Sequence, residues 1–173
     1  MDGQEQHKAR VAQLRESFAA ANHRLLQRLR EAGDEGECAP EGRWSPAQIG
    51  WHVAAVTTRF AGVISGEVPG AQTVAQDFRE RPWVEIVPTV AGRLQAPASV
   101  QPPPDVSCSQ AIAELEAAEK RMLSALDGLG RERASSYGIT SPIVGAINLY
   151  QVAEWATAHT IRHNRQAKLT LGR

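Results

Sequence analysis

The sequence predicts an all-α protein, most simply a four-helix bundle. Four segments repeat apolar side chains at intervals of three and four residues, which is the spacing of one helix face. A serine stands where three of these segments begin, as expected for N-caps. The alternation of apolar and polar residues that indicates a strand is limited to one possible short stretch, WVEIV, at residues 83–87. The expected helices cover about residues 5–31, 46–65, 108–128 and 142–169, within a single domain that spans residues 1–173.

The first two helices follow from their apolar stripes and from the residues that interrupt them. The stripe of the first helix leaves Arg10 and three other arginines for water, and the helix stops in AGDEGECAPEGR, a segment too rich in Gly and Pro to stay helical. The second helix begins after Ser45. Pro46 suits the first helical position because its missing N–H needs no partner there, and Gln48 completes a capping box. This helix ends near Gly66.

Residues 67–106 form a long Pro-rich connection between the second and third helices, with one short helix expected over AQTVAQDFRE, residues 71–80. A connection of this length usually has a role, such as crossing a bundle or covering a site. Ser107 and Gln110 form a second capping box at the start of the third helix. Ser141 and Pro142 repeat the Ser-Pro signal and predict the start of the fourth helix.

Composition excludes several classes of protein. Basic and acidic residues number 19 each, and no run of Lys or Arg forms a one-sided basic surface, so a nucleic-acid partner is not expected. The chain has no apolar signal-peptide core and nothing near the roughly 20 apolar residues of a membrane span, so we expect a cytoplasmic protein with no membrane partner. Cys38 and Cys108 have no CxxC spacing and are expected to be reduced thiols.

Three histidines occupy positions that face the interior of the predicted bundle. His159 and His163 are four residues apart, about 40° around the helix, among small and apolar residues. His52 lies in the stripe of the second helix, between Ile49 and Val56. The remaining two histidines do not share this placement: we expect His7 and His23 to be solvated, since one is near a terminus and the other lies off the stripe.

Buried imidazoles require partners, and a metal ion is one such partner. Neutral imidazole binds Zn, Ni, Cu or Fe, and three histidines leave a coordination position open, as in catalytic rather than structural zinc sites. The competing interpretation is a set of ordinary hydrogen-bonded histidines, and spacing alone leaves both interpretations open. Two known metal motifs are excluded. Thr160 rather than Glu follows His159, unlike in zincin proteases, and no Glu stands three residues before any of the three histidines, unlike in di-iron bundles.

Two short motifs carry a resemblance to a known family. The stretch GRWSPAQIGWHVAAV, followed after a long gap by AEWATAHTIRHNRQAKL, resembles the DinB-like superfamily, which includes thiol-dependent maleylpyruvate isomerases and bacillithiol transferases. The residues that match its motifs are Trp44, Ser45, His52, His159, His163 and Gln166. The resemblance implies an up-down-down-up bundle with a long crossover between helices 2 and 3, three histidine ligands of a divalent metal, and often a homodimer. In the characterised branches it also implies chemistry that uses a low-molecular-weight thiol.

The functional hypothesis is therefore a metal-dependent enzyme in which His52, His159 and His163 hold Zn or Ni. It would act on a small-molecule electrophile as a thiol-dependent S-transferase or isomerase. The alternatives are a hydrolase that uses a metal-bound water and a non-catalytic metal- or ligand-binding bundle of a stress response. Further candidates near the ligands, each with a capping, packing or solvated role as its competing interpretation, are Gln48, Gln166, Trp51 and Trp155. Trp83, in the crossing, is a candidate for the substrate mouth or a dimer contact.

Overall fold

The computed structural model describes residues 2–87 and 95–172, so residues 88–94 of the predicted crossing lie outside the described part. The helices are α1 (Gly3–Ala32), α2 (Pro46–Ser65), α3 (Trp83–Ile86), α4 (Cys108–Asp127), α5 (Arg131–Ser136) and α6 (Leu149–Thr170). The long helices α1, α2, α4 and α6 dominate the fold, so the predicted helical class is confirmed. Among the described helices, none has the apolar run that spanning a bilayer requires.

Each long helix packs mainly against two others. Helix α2 contacts α4 and α6, α1 contacts the same two helices, and α1 and α2 touch each other much less. The up-down-down-up direction of the helices stays a prediction. The buried apolar residues form two clusters, one that includes Phe18 and Ala156 and another that includes Leu25 and Ala167. Along α6, the segment from Ala156 to Ala167 therefore connects the two apolar clusters.

Both predicted capping boxes are present. The Ser45 hydroxyl accepts from the Gln48 N–H at 3.1 Å, while the Gln48 side chain accepts from the Ser45 N–H at 2.9 Å. Ser107 and Gln110 repeat this reciprocal pair at the start of α4. Each box satisfies two N–H groups that a helix start leaves without partners, which is why these two helix starts are readable from the sequence.

The prediction that the last helix starts at residue 142 is wrong. Helix α6 begins at Leu149, and Asn148 caps it by accepting from the Gln151 N–H at 3.0 Å. The Ser141 hydroxyl instead accepts from the Ile143 N–H at 3.1 Å, in the turn of a hairpin. A serine that caps a turn and one that caps a helix make similar local bonds, so the Ser-Pro signal is ambiguous.

A small antiparallel sheet accompanies the helices and was not predicted. Its strands, in the order β1-β2-β3, are β1 (Gln72–Thr73), β2 (Tyr137–Ser141) and β3 (Gly145–Asn148). Gly138 pairs with Asn148, and a Cβ at Gly138 would lie 2.0 Å from the Ile147 carbonyl oxygen, so the pairing requires glycine. The short helix expected over residues 71–80 is wrong, because β1 occupies part of it, and WVEIV begins as helix α3 rather than a strand.

A group of polar side chains, here called the arginine cluster, ties the crossing to α1 and α6. Arg10 donates to the carboxylates of Glu80 and Glu154, at 2.7 Å in the case of Glu154. Trp83 Nε1 donates to Glu154 at 2.7 Å, and Asn148 donates to Glu80 at 2.9 Å. The expectation that Arg10 points into water is therefore wrong, because the crossing brings Glu80 to it and α6 brings Glu154.

Beside this cluster, His7 also differs from its prediction. Its side chain is buried rather than solvated, and Nδ1 lies 2.7 Å from the Tyr150 hydroxyl. Residue 150 is remote in sequence, so no local pattern could have shown this contact. His23 is exposed, as predicted.

Candidate metal centre

His52 of α2 and the pair His159 and His163 of α6 come together in one place, here called the histidine cluster. The ring centroids are 5.1 Å apart for His52 and His159, 4.9 Å for His52 and His163, and 4.3 Å for His159 and His163. One nitrogen from each side chain lies within 4.8 Å of the other two. The helical spacing in α6 and the packing of α2 against α6 thus bring three imidazoles close enough together to bind one ion.

The composition of this cluster defines its chemistry. In the described part of the chain, it is the one group of three or more histidine, cysteine or acidic side chains close enough to hold an ion. It contains no carboxylate and no thiol. Cys38 is exposed and Cys108 is buried, and neither forms a disulfide. A set of imidazoles alone suits a transition metal rather than Mg²⁺ or Ca²⁺, which prefer oxygen ligands.

Two of the three rings are oriented by hydrogen bonds. The Nδ1–H of His52 donates to the Val100 carbonyl at 2.7 Å, and that of His163 donates to the Gln166 side-chain oxygen at 2.8 Å. The Val100 carbonyl has no proton to donate, so Nδ1 carries the proton in His52, and the Gln166 oxygen that faces Nδ1 of His163 favours the same form there. The Nε2 of each ring is then left with a free lone pair, which is the form that binds a metal.

His159 is the third ring, and it lacks such an anchor. Its Nδ1 is buried and has no hydrogen-bond partner among the residues that the structure describes. Leaving a buried polar atom without a partner costs about 1–3 kcal/mol. Ordinary hydrogen-bonded histidines would not leave this atom unpaired, so the donor set fits an ion better than it fits a set of self-satisfied core residues.

The electrostatics keep the three imidazoles neutral. Burial lowers the pKa of His52, although the hydrogen bond to Val100 partly opposes this shift. Burial, together with His163, His52 and Arg162, lowers the pKa of His159 well below its ordinary value. Burial, with His52 and Arg162 adding to it, lowers the pKa of His163 to about 4. At neutral pH all three side chains therefore carry the lone pairs that metal binding requires.

The other residues singled out from the sequence lie at varied distances from this chemistry. Gln166 contacts His163 directly. Gln48 uses its side-chain oxygen for the cap of α2 and donates through Nε2 to the carbonyls of Pro103 and Pro104, both at 3.0 Å. Gln48 therefore contacts the crossing, and its placement near the bound substrate or metal stays a prediction.

The tryptophans mainly pack against apolar residues. Trp51 lies against the core cluster that includes Leu25, whereas Trp155 lies 5.1 Å from the Phe60 ring, centroid to centroid, beside the other cluster. Trp44, from the first motif, lies closest to the chemistry, with its ring 5.0 Å from that of His52. Trp44 therefore forms a wall of the histidine cluster.

Sequence reasoning missed one group that contacts the cluster, the main-chain carbonyl of Val100. This residue lies in a 3₁₀ turn, Ala98–Val100, in the crossing. No residue type could have indicated it, because every residue has a carbonyl group and only the path of the chain selects this one.

Comparison with known proteins adds one match. The sequence model of the DinB superfamily matches residues 17–167, a range that includes both histidine-bearing helices and the crossing. No curated protein matches the chain.

Proposed function

Because the chain belongs to the DinB superfamily, we propose that it is a metal-dependent S-transferase or isomerase that uses a low-molecular-weight thiol to act on a small electrophile. The observation that carries the proposal is the convergence of three neutral imidazoles from two helices, with the buried Nδ1 of His159 left without a partner. His52, His159 and His163 would hold Zn or Ni. When bound, such an ion supplies Lewis acidity that lowers the pKa of a thiol or a water molecule.

The chain's own residues favour an ionised reacting group, and the choice of a thiol over water rests on the resemblance to thiol-dependent enzymes. The three donors are uncharged, and no carboxylate joins them, so the cluster does not offset the charge of a divalent ion. The exposed Arg162 adds positive charge nearby, which contributes to the lowered pKa values of His159 and His163. A positive local field stabilises a thiolate relative to a thiol. The hydrogen bonds of His52 to Val100 and of His163 to Gln166 would keep the imidazole donors oriented toward a bound ion.

The first test is the metal content of protein purified without a His-tag. We expect about one equivalent of Zn or Ni per chain by elemental mass spectrometry, and loss of that metal in a His159→Ala/His163→Ala variant. His23→Ala is the matched control, because this histidine is exposed and distant from the cluster in sequence. A wild-type protein that takes up no metal after reloading with Zn, Ni and Mn would overturn the proposal.

A second test separates an enzyme from a metal-binding bundle without catalysis. The metal-loaded protein is incubated with an electrophile, with and without each of several low-molecular-weight thiols, and conversion of the electrophile is followed together with the thiol concentration. We expect conversion that requires one thiol and disappears in His52→Ala, with the thiol consumed by a transferase and recovered unchanged by an isomerase. Metal binding without conversion would favour the non-catalytic alternative, and conversion without a thiol would favour the hydrolase. The homodimer that the resemblance implies stays a prediction, which sedimentation would test.

A further inference from the structure

The crossing meets the histidine cluster at the carbonyl of Val100. The Nδ1–H of His52 donates to this oxygen at 2.7 Å, and both side chains are buried, with 4% of His52 and 6% of Val100 exposed. The bond decides which nitrogen of His52 carries the proton and how the ring is turned. The position of this short turn therefore sets the orientation of one of the three donors.

A second set of bonds fixes the same part of the crossing to α2. Gln48 lies one helical turn before His52, and its Nε2 donates to the carbonyls of Pro103 and Pro104, each at 3.0 Å. Two proline carbonyls are suitable anchors, because proline has little backbone freedom and cannot use its nitrogen as a donor. The crossing is thus bound to α2 at two points only a few residues apart, residues 100 and 103–104.

We propose that Gln48 is a positioning residue of the metal centre, which acts through the crossing. Its side-chain oxygen caps α2, and its nitrogen holds Pro103 and Pro104 so that the Val100 carbonyl stays against His52. This inference rests on the proposed function, since the orientation of His52 matters for chemistry if His52 is a ligand. The inference gives the C-terminal end of the long crossing a role in orienting His52. The capping of α2 by Gln48 does not explain the bonds to Pro103 and Pro104.

The test is Gln48→Glu, which separates the two roles of this side chain. Glutamate still accepts the Ser45 N–H and still suits the first turn of a helix, so the capping box of α2 is kept. It offers no N–H to the proline carbonyls and places a negative charge beside them. Gln110→Glu is the matched control, because Gln110 forms the same capping box with Ser107 at the start of α4 and, among the described residues, makes no bond to Pro103 or Pro104.

Two measurements report on positioning rather than on stability. In the metal-free protein, ¹H–¹⁵N NMR of the imidazoles should show His52 mainly as the Nδ1–H form in the wild type and in Gln110→Glu, with a smaller share of that form in Gln48→Glu. In the cobalt-loaded protein, Gln48→Glu should weaken Co²⁺ binding about tenfold and shift its visible absorption, as loss of an outer-shell contact typically does.

The outcomes distinguish this inference from the proposed function. If Gln48→Glu matches Gln110→Glu in His52 tautomer and in Co²⁺ affinity, the positioning role is wrong, whatever the wild type binds. If the wild type binds no Co²⁺ but the tautomer of His52 still depends on Gln48, the proposed function fails while the coupling between Gln48 and His52 stands.

Discussion

Helix α6 carries two polar clusters that satisfy their side chains in opposite ways. In the arginine cluster, at the N-terminal half of α6, Arg10 bridges the carboxylates of Glu80 and Glu154 and lies 4.2 Å above the Tyr150 ring. Opposite charges supply each other's partners there. The histidine cluster, in the C-terminal half, joins three groups of the same kind, and His159 has a buried Nδ1 without a partner among the described residues.

The pKa shifts show the same contrast. Burial would lower the pKa of Arg10, but hydrogen bonds to Glu80 and Glu154 outweigh burial and raise it. Burial would raise the pKa of Glu80, but hydrogen bonds from Arg10 and Asn148 outweigh it and lower the pKa. Each charged form is thus favoured. In the histidine cluster, burial lowers every pKa, and the neighbouring imidazoles add to the effect for His159 and His163, so the charged forms are disfavoured.

The comparison teaches how a structural polar cluster differs from a binding site. Side chains of opposite charge supply each other's hydrogen-bond partners, so a ligand is not needed. Side chains of the same kind, whose lone pairs point toward one another, have no partner for those lone pairs until a cation binds. Buried polar residues alone therefore do not mark a site, whereas buried polar residues that cannot satisfy one another do.

The largest expected difference between the clusters is their effect on the free energy of unfolding when metal is added. Because an ion binds the folded histidine cluster and not its dispersed residues, Zn²⁺ at about 1,000 times its Kd should raise the free energy of unfolding by about 4 kcal/mol. Chemical denaturation with and without Zn²⁺ measures this gain. The His159→Ala/His163→Ala variant should show none of it. An equal gain in that variant would mean that the ion binds elsewhere.

In the metal-free protein, lowering the pH should produce the next largest difference, because the two clusters lose stability in different pH ranges. His163 has a folded pKa of about 4, whereas an unfolded histidine titrates near 6.5. The unfolded chain therefore binds more protons between these values, and stability falls as the pH drops through this window, by about 2 kcal/mol at pH 5 for this residue. Glu80, with its lowered pKa, stabilises the fold above the unfolded value and loses this effect only at lower pH.

Denaturation from pH 7 to about pH 3 measures these windows. His163→Gln should flatten the curve between about pH 6.5 and pH 4.5, and Glu80→Gln should change it mainly below about pH 4.5. If His163→Gln leaves the slope above pH 4.5 unchanged, His163 is not buried in its neutral form as described.

Removing the centre of the arginine cluster should have a smaller effect than metal loading. Arg10→Met keeps an unbranched side chain over Tyr150 but leaves Glu80 and Glu154 without their cation. Because these side chains are 28–37% exposed, the loss should lie between those of surface and buried pairs, about 2 kcal/mol at pH 7. Chemical denaturation measures it, with the exposed Arg24→Met as the control. The metal content should not change, and loss of metal in Arg10→Met would mean that the two clusters are coupled.

Much of the fold and the identity of the candidate donors were predictable because their signals are local. Helix α2 occupies the predicted residues 46–65, and the Ser45 and Ser107 capping boxes lie where they were expected, since each involves residues three apart. His159 and His163 share a face through helical spacing, and His52 was recognisable from its place in an apolar stripe. These features need no knowledge of how the chain turns between helices.

Other features depended on the path of the whole chain. The strand pairs of Gly138, the burial of His7 and the carboxylates around Arg10 all join residues distant in sequence. The sequence by itself determined the four long helices apart from the start of α6, the caps of α2 and α4, and the three imidazoles, because these depend on side-chain type and short spacing. Only the tertiary structure decided which carbonyl orients His52 and which polar cluster stays incomplete, because backbone groups are chemically alike until packing distinguishes them.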